Sequence, residues 1–224
     1  ASVSPSRRRE SSALQTSEDV IACRGELISG GFLERLDLRA ADLTATRFAG
    51  VRMSHLGLAG AILRGSTFDG IEAIGCDLRG ADLRDVRWLG TRLEGCDLAQ
   101  AQAAGLQGRG ATLHECRLSG ADLRGARLHQ VRVEGGETGY LNLEKAVLTR
   151  VTFANPRLGG SPLMRARLAG AFLLECDLRH ANLYAADLRG AVLVRTDLSD
   201  AMLDSADLAD AVLIDCRTDR TDWP

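Results

Sequence analysis

No apolar run in this 224-residue chain approaches the eighteen or so residues that a membrane-spanning helix needs, so a membrane role is not expected. Charge of one sign is missing too. The 28 basic residues nearly cancel the 30 acidic ones, and a formal net charge of -2 points neither to direct nucleic-acid binding nor to an acidic tail. The G-x-S-x-G, H-E-x-x-H and EF-hand patterns are absent, which removes the commonest sequence signals for a nucleophile elbow, a zinc protease and a calcium loop. The glycine-rich run GLQGRG at 105–110 follows no strand–helix unit and leads straight back into ATLHE, so it does not read as a phosphate loop. The basic run Arg7 to Arg9 is not followed by an apolar segment, as a signal peptide would require. Residues 1–20, polar and serine-rich, read as a flexible tail, and 21–224 as a single domain.

What is present is a five-residue period. From Leu33 to Leu213 every fifth residue forms an unbroken series of 37 centres, of which 33 are Leu, Phe, Met, Trp or Val. Only Ala73, Ala103, Gly108 and Thr138 depart. Two positions before each centre sits a mostly small residue, and between the two lies a polar slot, often aspartate. On an α-helix a five-residue step rotates the side chain by about 140°, so such leucines would wind around the cylinder and form no buried stripe. The pattern small-in, polar-out, large-in, variable-out is instead a short extended segment broken by a corner at the fifth residue, where glycine recurs.

The number of segments per turn is also readable. Cys76, Cys96, Cys116, Cys176 and Cys216 all occupy the small inward slot and all differ by multiples of twenty. Four segments therefore make one coil, and the cysteines form a structural column of buried thiols that suits a reducing, cytoplasmic setting better than a disulfide framework. About nine coils at a strand spacing of roughly 4.8 Å give a rod ~45 Å long. The segment Val20 to Phe32 is placed to cap one end, and Trp223, in the last large slot, the other. Gly136 and Pro156 interrupt the cysteine column and are expected to bulge or bend those rungs.

The motif ADLRG, intact at 121–125 and 186–190 and varied to ADLRD at 81–85, resembles the pentapeptide-repeat family, and the likeness runs over nearly all of 21–223. That resemblance implies an all-β fold, a right-handed quadrilateral β-helix. It also implies a class of partner. MfpA-type and Qnr-type members bind DNA gyrase or topoisomerase IV, protect against fluoroquinolones, and in several cases dimerise through their C-terminal ends. This chain departs from them in its near-neutral charge, its uninterrupted register and its fewer phenylalanine centres.

Flat solenoid faces do not converge polar groups, so neither catalysis nor a cofactor is expected. The four histidines, His55, His114, His129 and His180, fall in outward or corner slots, and no metal site is expected. Most outward charge comes as D-L-R triplets, which read as weak surface ion pairs. Two local features break that neutrality. Asp197, Asp200, Asp204, Asp207, Asp210 and Asp215 occupy a stretch without arginine, either as a DNA-mimicking surface or merely as solubilising charge. Phe172, Leu174, Val192, Val194, Val212 and Ile214 fall outward on one face in three successive rungs, a patch that a partner, most simply a second copy, or the chain's own terminal segment would cover. The expected function is a protein-interaction rod, whose partner is gyrase, topoisomerase IV or an unrelated protein.

Overall fold

The computed structural model describes residues 8–224, and they form a four-sided, right-handed parallel β-solenoid. Faces are numbered here I to IV in the order the chain visits them. Face I holds an eight-stranded parallel sheet that runs to Val147–Thr149, and face II a ten-stranded one from Phe32–Glu34 to Val212–Ile214. The ten rungs of face II are one more than the nine coils expected. Faces III and IV are held by single bridges, such as Asp77 to Asp97 and Asp82 to Gln102. From Leu27 onward every one of these pairings joins residues twenty apart, as in Phe48 against Phe68.

The pentapeptide dictates this locally. Centres and small slots point inward, and Leu43, Leu63, Ala61, Ala81 and Cys96 are completely buried. Fully burying one leucine contributes roughly 1.5–3 kcal/mol, and each coil repeats that gain at its centres. Corner residues sit at φ between +48° and +73°, and many are not glycine, for example Arg35, His55, Tyr140 and Asp200. Left-handed backbone costs such residues about 1–2 kcal/mol. The corner amide recovers part of this by bonding to the next coil, as His55 N–H does to the Ile74 carbonyl at 2.9 Å. Core burial decides the balance.

Where centres shrink, a neighbour grows. Gly108 pairs in register with Trp88, and a Cβ at Gly108 would lie 2.9 Å from Leu128 Cδ2, so that volume is already occupied. Phe48 and Phe68 stack with ring centroids 5.2 Å apart.

The cysteine column is structural, and its sulfurs follow a rule. Cys96, Cys116, Cys176 and Cys216 each point at the carbonyl twenty-three residues earlier, at 3.4–3.6 Å. The hydroxyls of Ser66, Thr91 and Thr196 in the same kind of slot do likewise at 2.9–3.1 Å. Burial pushes the Cys176 thiol up to about 12, and hydrogen bonding with Cys96 together with burial raises Cys76 and Cys116, so these remain protonated and inert.

The two ends differ, and neither is as expected. Residues 8–20 do not form a tail. Arg8–Glu10 adds a strand to face I against Leu27–Ser29, a 3-10 turn follows at Ser11–Ala13, and a helix spans Ser17–Ile21. The helix starts with a capping box, in which Thr16 Oγ1 accepts from Asp19 N–H and Asp19 accepts from Thr16 N–H. Leu14, Val20, Cys23 and Ile28 are buried beneath this lid, so apolar burial holds the segment in place. Residues 1–7 of the expected tail lie outside the described residues. At the other end Trp223 continues the face IV column one coil past the fully buried Leu203 and stays 43% exposed. The inward Leu213 is 36% exposed there, and the C-terminal end is open.

Near the middle the rod has a seam. Bridges run unbroken down face III to Glu137 and resume at Arg157, and down face IV to Asn142 and resume at Pro162. Proline explains face IV, because position 162 is where other coils donate an N–H, as Asp82 does to the Ala61 carbonyl. On face III Gly136, at φ +77°, has closed onto the coil before it, where an added Cβ would meet the Cys116 carbonyl oxygen at 2.0 Å. Ser161 should by the rule above donate to the Thr138 carbonyl. Instead the hydroxyls of both Thr138 and Ser161 are buried without a partner, the only such side chains among the described residues. The expected irregularity is therefore real, but it sits between these coils, and Pro156 itself is buried in register and accepts from Asp177 N–H.

Two outcomes test this account. Gly136→Ala should lower unfolding stability in urea by roughly 2–4 kcal/mol, because strain at a special backbone angle and a backbone clash coincide. In the native protein an aromatic disulfide reagent should titrate the partly exposed Cys216 alone, and the five buried thiols should react only after denaturation.

Candidate interaction faces

The D-L-R triplets do more than neutralise charge. In each, one aspartate oxygen accepts from both the backbone N–H and the Nε of the arginine two residues on, and the second oxygen accepts from the guanidinium. Asp77 and Arg79 show this at 3.1, 2.8 and 2.6 Å. Where arginine is absent the backbone bond persists, as from Ala99 N–H to Asp97 at 3.0 Å. The aspartate slot thus fastens the start of each corner, an Asx-type bond that sequence reasoning took only for surface pairing. Hydrogen bonds from the arginine side chain hold the Asp37 carboxyl down to about 2, and they lower Asp77, Asp122, Asp177 and Asp187 as well.

This staple redistributes the acidic candidates. Asp197 and Asp207 each hold a backbone N–H, of Ser199 and Ala209, at 3.0 Å. Asp200 is paired by Arg220 at 2.6 and 2.8 Å, and Arg189 reaches Asp207 at 3.6 Å. Only Asp197, Asp204, Asp210 and Asp215 have no ion-pair partner among the described residues. The six are not on one surface. Asp197 lies on face III, Asp204 on face IV and Asp207 on face I, while Asp200, Asp210 and Asp215 take corners at φ +57°, +58° and +52°. They encircle the last two coils. The expectation of a run unpaired throughout is corrected, because Arg220, outside the arginine-free stretch, returns one coil later beside Asp200.

The apolar candidates behave differently. Register pairs Phe172 with Val192 and Val212, and Leu174 with Val194 and Ile214, so the six form two adjacent columns on face II. Thr152 and Ala154 precede them in the same columns. Phe172, Val212 and Ile214 are 45–46% exposed, and the patch runs onto the open end at Leu213. Residues 8–20 lie at the opposite end of the rod and do not cover it.

Sequence reasoning missed the apolar group at the other end of face II. Phe32 is 64% and Ile74 47% exposed there, beside Met53 and Arg52. Counting outward slots at twenty-residue offsets from Phe172 back to Phe32 was the available signal. The histidines are outward, as expected, and His114 lies 3.6 Å from Glu134. Among the described residues no three His, Cys, Asp or Glu side chains are grouped to hold a metal ion, and no helix is long and apolar enough to cross a membrane.

The family model for pentapeptide repeats matches in eight copies, over 58–87, 76–107, 91–130, 161–200 and 181–217. The gap between 130 and 161 coincides with the seam. Among solved structures, HetL, a pentapeptide repeat protein involved in heterocyst differentiation regulation from the cyanobacterium Nostoc sp. strain PCC 7120, is 27% identical over 87% of each chain, with a TM-score of 0.50. Full-length QnrB1, a plasmid-mediated fluoroquinolone resistance protein, is 18% identical over 84% of this chain and 93% of that one, with a TM-score of 0.36. Rfr23 from the cyanobacterium Cyanothece 51142 is 21% identical over 67% of this chain and 90% of that one, with a TM-score of 0.28. No curated protein matches. With its model covering more than half of the residues and the twenty-residue coil present throughout, the chain belongs to the pentapeptide-repeat family.

Proposed function

We propose that the chain is a non-catalytic interaction rod that docks through the C-terminal end of face II, first of all with a second copy of itself. The observation that carries this reading is the two-column apolar patch running onto an end that no cap covers. Exposed apolar area of this kind is stabilised by burial, and a two-fold arrangement lets one patch serve both partners. The likeness to HetL, a regulatory protein of similar fold, supports regulation by binding rather than catalysis. Free thiols bonded to carbonyls along the core suit a reducing cytoplasm.

A second reading is DNA mimicry toward DNA gyrase or topoisomerase IV, with protection from fluoroquinolones. One observation favours it. Aspartates on faces I, III and IV and at the corners of the last coils give the tip of a narrow rod spaced negative charge, as a duplex has. The runner-up partner is an unrelated protein held by the same apolar end.

Light scattering at tens of micromolar should give the mass of a dimer, and Val194→Asp with Ile214→Asp should give a monomer of unchanged circular dichroism. A monomeric parent protein overturns the self-docking reading. For the second reading, the protein should inhibit gyrase supercoiling or relieve fluoroquinolone poisoning, and Asp204→Asn, Asp210→Asn and Asp215→Asn together should weaken the effect about tenfold. No effect at large molar excess removes gyrase as the partner.

A further inference from the structure

Face I carries a run of arginines on successive rungs. On faces III and IV the slot before a buried centre holds aspartate or another acceptor in most coils, and the arginine after it is fastened to that aspartate. On face I between residues 87 and 150 the same slot holds Arg87, Gln107 and Arg127, and Arg109 takes the slot after. Arg150 follows at the corner. All four arginines are exposed, and none has an ion-pair or side-chain hydrogen-bond partner among the described residues. The strands of this part of face I contain no carboxylate, Asp85 stands at the corner before Arg87, and Thr149 and the partly buried His129 are polar neighbours.

The spacing is fixed by the sheet. Arg87 and Arg127 share a column two rungs apart, roughly 10 Å, and Arg109 lies on the rung between and two residues across, roughly 7 Å. The guanidinium groups zigzag along a flat surface in steps of roughly 8 Å. An extended peptide presents every second side chain at roughly 6.6 Å, within reach of such flexible side chains. Arginine forms paired hydrogen bonds with carboxylates, so free guanidinium groups in a line fit a line of carboxylates.

We propose that the middle of face I is a docking strip for a short acidic segment of a partner protein, formed by Arg87, Arg109, Arg127 and Arg150. A protein segment is favoured over a nucleic-acid duplex by what flanks the strip. A stiff duplex lying along the rod would meet Asp69 and Asp85 on one side and, past Arg167, Asp187, Asp207 and Asp210 on the other, all on or beside face I. A short segment spans only the basic rungs. This strip lies away from the apolar end of face II and does not depend on the docking described there.

The probe is a fluorescein-labelled ten-residue peptide of alternating Glu and Thr, read by fluorescence anisotropy against the full chain. Binding should weaken about tenfold between 50 and 200 mM salt, and Arg109→Glu with Arg127→Glu should weaken it at least tenfold at the lower salt. Both residues point outward, so circular dichroism should be unchanged. Arg79→Glu, at a guanidinium already fastened to Asp77, is the control and should leave binding within twofold. Absence of binding at low salt overturns the proposal, as does equal loss in the control. Tighter binding of a 20-base-pair duplex than of the peptide overturns the choice of partner in favour of a phosphate backbone.

Discussion

Everything in this molecule depends on the backbone ladder that ties each residue to the one twenty positions on. Short extended segments of three residues have no stability alone, and a single coil has no interior. Stacking supplies both. Each coil offers its outward-directed carbonyls and amides to the next, and the inward leucines then lie over one another with no water between. The corners, forced to positive φ even at arginine, histidine and aspartate, are held by the same ladder, which is why the repeat tolerates so many residues there.

The seam shows what happens when the ladder is interrupted but the core is not. Faces I and II carry their pairings across it, through Val147 with Arg167 and Thr152 with Phe172, and face IV keeps two backbone bonds, from Leu143 N–H to the Pro162 carbonyl and from Lys145 N–H to the Met164 carbonyl, both at 2.9 Å. The rod therefore stays continuous on three sides and is interrupted on face III. Two stranded hydroxyls, at Thr138 and Ser161, mark the interruption. A side-chain rule that holds in the other coils fails there because its carbonyl partner has moved with Gly136.

Much of this was legible in the sequence, because a solenoid converts spacing directly into position. The cysteine column gave the coil length before any coordinates, and the apolar block at 172–214 was placed on its face residue by residue. What was not legible depended on contacts outside the repeat. The lid at 8–23 has no five-residue signature, so its strand and capped helix were read as tail. The acidic run looked unpaired because Arg220 lies outside it in sequence, although one coil brings it onto Asp200. The aspartate slot looked like surface charge because its bond to a backbone amide is a matter of side-chain direction, which periodicity does not encode.

The two unequal ends also determine how many copies such a rod can join. A parallel solenoid with both ends bare would offer a donor edge and an acceptor edge, and end-to-end stacking would then continue without limit as a fibre. Here Arg8–Glu10 and the helical lid lie over the first coil, whereas Leu213 of the last coil is partly exposed. In the proposed pairing of like ends, two lids would face outward and growth would stop at a pair. The N-terminal lid would then be a chain terminator for assembly as well as a plug for the core.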